Sequence, residues 1–136
     1  MKKVFVDTAA WIALLNKDDI WHKEAHIIRL ILSQQSYYFI TSNFVLLELA
    51  DALCSVLERR KNIEFIRNLG LVKSTKVLSL NDELFFAGIR LYESRLDKDW
   101  SLTDCISFTI MQREGIAEAL TTDKHFEQAG FIRLIK

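Results

Sequence analysis

Four acidic residues stand where a short apolar run ends or a helical pattern begins. Asp7 follows Val4-Phe5-Val6, Glu48 sits inside Phe44-Val45-Leu46-Leu47-Glu48-Leu49, Asp104 follows Ser101-Leu102-Thr103, and Asp123 follows Ala119-Leu120-Thr121-Thr122. Carboxylates brought together repel by roughly 4 kcal/mol per close pair at an intermediate dielectric, so a converging set persists only around positive charge. Mg²⁺ or Mn²⁺, one or two ions, is the natural occupant, because both are hard cations that prefer carboxylate oxygens and water. The chemistry such ions support is hydrolysis of phosphate esters. Each acid also has a structural reading. Asp7 and Asp123 stand where they could cap the helices beginning at Thr8 and near His125, Ser101-Leu102-Thr103-Asp104 reads as a capping box, and Glu48 alone is an ordinary surface glutamate. Only the four together point to a site.

The elements that would position them follow from periodicity. Val4-Phe5-Val6, Tyr37-Tyr38-Phe39-Ile40, Lys76-Val77-Leu78-Ser79, Ala119-Leu120-Thr121 and Phe131-Ile132-Arg133-Leu134-Ile135 read as buried strands. Between them the period is helical. Phe44, Leu47, Ala50, Cys54 and Leu57 recur at three- and four-residue steps, as do Leu84, Ala87 or Gly88, and Leu91, and then Leu102, Ile106 and Ile110. Strands alternating with helices predict an α/β fold, a three-layer α/β/α sandwich around a mostly parallel sheet. Ligands of such sheets bind beyond the carboxyl ends of the strands. Asp7 and Asp123, each just past a strand, should emerge on that edge, with Glu48 about two turns into a helix nearby. Asp104 opens a helix whose i+4 and i+7 neighbours are Phe108 and Met111, so its side chain borders an apolar stripe.

A chain of 136 residues with 50% hydrophobic content is expected to form one domain over 1–136. No apolar run approaches the ~20 residues of a membrane helix, and the start reaches Asp7 before a signal-peptide core could form, so a soluble, unprocessed, cytoplasmic protein is expected. Cys54 and Cys105 match neither a metal-ligand spacing nor a disulfide framework and read as buried thiols. The formal net charge is zero, but setting the four acids aside leaves 18 basic residues against 14 acidic ones, a remainder of +4. Lys2-Lys3, Arg59-Arg60-Lys61 and Lys124 are the basic groups that could meet phosphates, although such runs are usually solvated faces.

Other constellations carry less. His22 and His26 are spaced to share a metal on one helix face, yet no third ligand is evident and an exposed helix start is the better reading. Trp11, Trp21 and Trp100 could stack bases, but large aromatics mostly pack. There is no glycine-rich phosphate loop, and Asp7-Thr8-Ala9 lacks the second aspartate of an aspartyl-phosphate hydrolase.

The segments Val4-Phe5-Val6-Asp7-Thr8, Thr41 to Leu49, Trp100 to Cys105 and Thr121-Thr122-Asp123-Lys124-His125-Phe126 resemble, in order and spacing, the four acidic motifs of the PIN domain. The likeness spans nearly the whole chain. It implies a metal-dependent nuclease and, at this length, a VapC-type toxin of a toxin–antitoxin pair, with RNA as substrate, an antitoxin protein as partner and a homodimer as assembly. By the same resemblance Asp7, Glu48, Asp104 and Asp123 are the catalytic and metal-site acids, with Thr8 and Thr103 as supporting groups beside them. Water as the nucleophile would leave a 5′-phosphate and a 3′-hydroxyl. The rivals are a catalytically silent RNA-binding or scaffolding domain and a metal-dependent phosphatase of small substrates.

Overall fold

Val4, Phe5 and Val6 are fully buried, as expected of a strand covered on both faces, whose apolar residues run on without alternation. In the computed structural model, which describes residues 1–136, this run forms β1 (Lys3–Val6), paired in parallel with β2 (Tyr38–Ser42) on one side and β4 (Glu118–Leu120) on the other. The strands β3 (Thr75–Leu78) and β5 (Ile132–Arg133) complete a sheet of order β3-β2-β1-β4-β5 in which every pairing is parallel. Parallel neighbours need crossover connections, and helices supply them. Helices α1 (Thr8–Leu15) and α2 (His22–Gln34) link β1 to β2, while α3 (Asn43–Ala52) and α4 (Val56–Leu69) link β2 to β3. The return uses α5 (Asp82–Ser94) and α6 (Leu102–Glu114) before β4, and α7 (Lys124–Gln128) before β5.

The path steps one way from β1 to β3 and the other way from β3 to β5, so right-handed crossovers put α1 to α4 on one face and α5 to α7 on the other. This is the expected three-layer sandwich, with a sheet that is wholly parallel. Its connections diverge between β1 and β4, which is where a crevice opens at the carboxyl ends of the strands. No helix is long and apolar enough to cross a membrane.

Several expectations are corrected by how the helices end. The stripe from Phe44 to Leu57 is broken, because α3 stops at Ala52 and α4 starts at Val56. The buried Asn62 amide donates to the Leu53 carbonyl at 2.6 Å, satisfying a group that the end of α3 leaves free. Phe44 is buried, whereas Leu47 is 62% and Leu57 93% exposed, so neither leucine belongs to the core. Cys54 lies in this turn and is exposed; of the two thiols only Cys105 is buried. The His22 and His26 rings bond to the carbonyls of Ala13 and Leu14 at 2.7 and 3.2 Å, closing the last turn of α1. Those two nitrogens are thereby engaged in helix capping, which favours the plain reading of the pair over a zinc site.

Gly88 sets the spacing of α5 and α6. A Cβ at this position would run into the side chain of Ile106, so the glycine is what lets the two helices touch. The whole segment from Cys105 to Met111 is buried. Gly115, at φ 67°, ends α6 in the left-handed conformation, after which the Ile116 amide bonds back to Met111 at 2.8 Å and turns the chain into β4.

Candidate active site

Asp7 leaves β1 at the crevice with its backbone still tied to β4, its amide donating to the Leu120 carbonyl at 3.1 Å. It occupies the N-cap position of α1, but its side chain makes no capping bond. Its Oδ2 instead accepts from the Thr121 hydroxyl at 2.9 Å. Asp7 is 7% exposed, and burial pushes its carboxyl from 3.8 up to about 7, against the opposing hydrogen bonds from Thr121 and the Thr8 amide and with the charges of Asp104 and Asp123 adding to the rise.

The same Thr121 hydroxyl accepts from the Asp123 amide at 3.0 Å, so one side chain fixes both acids. Asp123 does cap its helix, accepting from the His125 amide at 2.9 Å. Asp104 closes the expected capping box, with Ser101 Oγ accepting from the Asp104 amide at 3.0 Å and Asp104 Oδ2 accepting from the Ser101 amide at 3.2 Å. Its Oδ2 also lies 3.0 Å from His125 Nδ1. Burial raises the Asp104 carboxyl; the His125 contact opposes this and the Asp123 charge adds to it. Glu48 arrives from the other face of the sheet, and its Oε1 accepts from the Thr8 hydroxyl at 2.6 Å.

All four expected acids line a single open cleft of about 510 Å³, over a floor that includes Ala9 and Ile12. Thr8 and Asp51 line it too, and no lysine or arginine does. Asp51 was not anticipated, although it sits one turn beyond Glu48 on α3. Of the two expected supporting threonines, Thr8 bonds Glu48 and Thr103 is not among the lining residues; a further one, Thr121, bonds Asp7 from behind, and its role depends on β1 and β4 being neighbours. His125 was likewise read only as part of a short helix, and its position two residues past Asp123 was the available signal.

The basic groups fall in three separate places. Lys2 and Lys3 lie at the amino end of β1, the opposite edge of the sheet from Asp7, where Lys3 donates to the Glu114 carbonyl at 3.2 Å. Arg59 and Arg60 are exposed on the first turns of α4, and Lys124 is exposed beside Asp123. Trp11 and Trp100 are buried, with their indole N–H groups donating to Thr41 and Gln128, so both pack and neither offers a face for a base. A second cavity, of about 310 Å³, lies under α1, α2 and α4 and is lined by Trp11, Phe39 and Phe65 with no acidic residue.

Apart from the His125 imidazole beside Asp104 and Asp123, the protein sets no cationic side chain among these acids. A hard divalent cation fits that donor set, since carboxylate oxygens are what Mg²⁺ and Mn²⁺ take. Asp104, Asp123 and His125 in particular present ligand atoms within 4.8 Å of one another.

A family profile described as PIN domain matches residues 4–132. The chain is similar to the 23S rRNA-specific endonuclease VapC20 of Mycobacterium tuberculosis, with 29% identity over 133 residues, 96% of this chain and 97% of the relative. The crystal structure of Mycobacterium tuberculosis VapC20, described as a sarcin-ricin loop cleaving toxin, matches with a TM-score of 0.84 at 28% identity, covering 98% of this chain and 99% of that one. VapBC2 from Rickettsia felis, crystallised with a DNA fragment from its promoter, matches at 0.70 with 13% identity and 96% coverage of both chains. FitAcB from Neisseria gonorrhoeae matches at 0.62 with 17% identity, over 98% of this chain and 96% of that one. At these lower identities the likeness is one of fold.

Proposed function

The chain belongs to the PIN-domain family, and on that premise we propose that it is a metal-dependent endoribonuclease acting as the toxin of a toxin–antitoxin pair. The observation that carries the reading is the convergence of Asp7, Glu48, Asp104 and Asp123 on one cleft at the divergence of the sheet's connections. Asp7 and Asp104 are the acids proposed to hold one or two Mg²⁺ or Mn²⁺ ions, with Glu48 and Asp123 completing the set or orienting the attacking water. When bound, such an ion neutralises phosphate charge and lowers the pKa of a water.

The protein's own part is positioning. Thr121 holds Asp7 and the Asp123 backbone in fixed relation, and Thr8 does the same for Glu48, so the carboxylates are aimed before substrate arrives. The open cleft admits a phosphodiester from solvent, and the absence of lysine or arginine in its walls leaves charge neutralisation to the bound cation. Attack by water would leave a 5′-phosphate and a 3′-hydroxyl.

The substrate proposed is RNA, and the named target of the Mycobacterium relative makes large-subunit ribosomal RNA the first to test. An antitoxin protein as partner, a homodimeric assembly and a cytoplasmic site of action belong to the same proposal. Purified protein is incubated with ribosomal RNA in Mg²⁺, Mn²⁺ or EDTA beside Asp7→Asn, and the new ends are mapped. Discrete cuts bearing 5′-phosphates, dependent on metal and lost in Asp7→Asn, are expected. Intact RNA in every metal, or equal cutting by the mutant, overturns the reading.

A further inference from the structure

His125 Nδ1 lies 3.0 Å from Asp104 Oδ2 and 3.4 Å from Asp123 Oδ1. Adjacent ligands on an octahedral ion with bonds of about 2.1 Å are about 3.0 Å apart, and both distances from Nδ1 are near that spacing, while the three ligand atoms together lie within 4.8 Å of one another. The backbone favours the arrangement, because Asp123 Oδ1 accepts from the His125 amide at 2.9 Å and holds the ring beside the carboxylate. In the tautomer with its proton on Nε2, Nδ1 carries a free lone pair on the side of the two carboxylate oxygens. We propose that His125 is a nitrogen ligand, which makes the Asp104–Asp123–His125 corner a mixed oxygen–nitrogen site selecting Mn²⁺ over Mg²⁺. The inference rests on the metal-dependent reading of the same cleft. Both ions take mostly oxygen, but Mn²⁺, as the first member of the transition series, gains more from one imidazole nitrogen beside its carboxylates than Mg²⁺ does. The competing role is that of a positioning residue, in which Nδ1–H donates to Asp104 and the ion sees only oxygen.

Electron spin-echo spectroscopy of the full chain loaded with Mn²⁺ separates the two, since a directly bound imidazole imprints ¹⁴N modulation on the Mn²⁺ signal. The chain has three histidines; Nδ1 of His22 and Nε2 of His26 are engaged at the end of α1, and a His22→Gln/His26→Gln variant that keeps the modulation assigns it to His125. We expect ¹⁴N modulation in the wild type and its loss in His125→Gln. Mn²⁺ dissociation constants should rise at least about tenfold in that variant while those for Mg²⁺ stay within about threefold. Bound Mn²⁺ without ¹⁴N modulation in the wild type, or an equal loss of affinity for both ions, overturns the ligand and leaves the metal-dependent reading standing. Failure of the wild type to bind either ion overturns both. The His22→Gln/His26→Gln variant decides the ligand should His125→Gln not fold, since loss of the modulation there overturns it.

Discussion

The hydroxyl of Thr121 is bonded at 2.9 Å to the buried carboxylate of Asp7, and it reaches that acid from the adjacent strand's exit. Thr121 is itself fully buried, so nothing from solvent can replace its hydrogen. Thr121→Val keeps the shape and removes the donor. Its loss removes an interaction that lowers the Asp7 carboxyl, so protons should compete with the metal for Asp7 up to higher pH, and at subsaturating metal the ascending limb of the pH–rate profile should move the same way. A fall of roughly ten- to a hundredfold in kcat/KM is expected, the usual cost of losing a group that orients a ligand, with Thr121→Ser largely restored. An unmoved profile at unchanged fold would remove Thr121 from the positioning machinery.

Asp7 also predicts how the metal-free protein responds to pH. Its carboxyl titrates near 3.8 when unfolded and about 7 when folded. Below pH 4 it is protonated in both states and costs nothing. As pH rises from about 4 to 7 the unfolded chain sheds its proton before the native one does, so native stability falls across that window, by roughly 4 kcal/mol from this group. Asp104 is raised in the same sense and adds to the fall. Urea titrations in EDTA should show wild-type stability declining toward neutrality, with Asp7→Asn declining less and overtaking it within that window. Parallel curves for the two proteins would mean that Asp7 carries no burial penalty.

Gly88 gives a prediction independent of the chemistry. Any Cβ there meets Ile106, which sits two residues beyond Asp104 on α6. Gly88→Ala should gain from helix propensity but lose more from overpacking, typically about 1 to 3 kcal/mol net of repacking. Gly88→Val should be worse. Thermal melts that place Gly88→Ala at or above wild type would show that α5 and α6 separate easily.

Strand ends and acids were legible in the sequence because a buried parallel strand reads as an unbroken apolar run, and Asp7 interrupts one abruptly. Asp123 was legible for the same reason, since Ala119 and Leu120 are both fully buried. What the sequence does not carry is adjacency between distant segments. Thr121 matters because β4 lies beside β1, and no local pattern states that pairing; the threonines expected from sequence, Thr8 and Thr103, are those adjacent to an acid. His125 and Asp51 required only helix geometry, one turn or less from an expected acid, and neither was set beside the acid it follows. The stripe through Leu47 and Leu57 misled because helical spacing continues arithmetically across a break, and the residue that closes that break, Asn62, lies seven residues into the following helix.

Asp104 was expected to be either a helix cap or a member of the acid cluster, and the structure shows one oxygen doing both. Its Oδ2 accepts from the Ser101 amide and faces His125, while its neighbours in the cleft are carboxylates. The two roles have opposite effects on stability. Losing a cap costs about 1 kcal/mol whether or not metal is present. Losing a charge from a crowded acidic cleft relieves repulsion in the metal-free protein, which matters most where burial already disfavours ionisation. Asp104→Asn keeps an oxygen for the Ser101 amide and removes the charge, so in EDTA it should melt at or above wild type. Metal reverses the order. An ion binding only the native state stabilises it by about 2.7 kcal/mol at a hundredfold excess over Kd, and a protein lacking a ligand forfeits most of that. Denaturation of both proteins in EDTA and in saturating Mn²⁺ reads the difference directly. A variant destabilised by the same amount in both conditions would assign Asp104 to capping alone, and the metal would then have to be held by Asp7, Glu48 and Asp123.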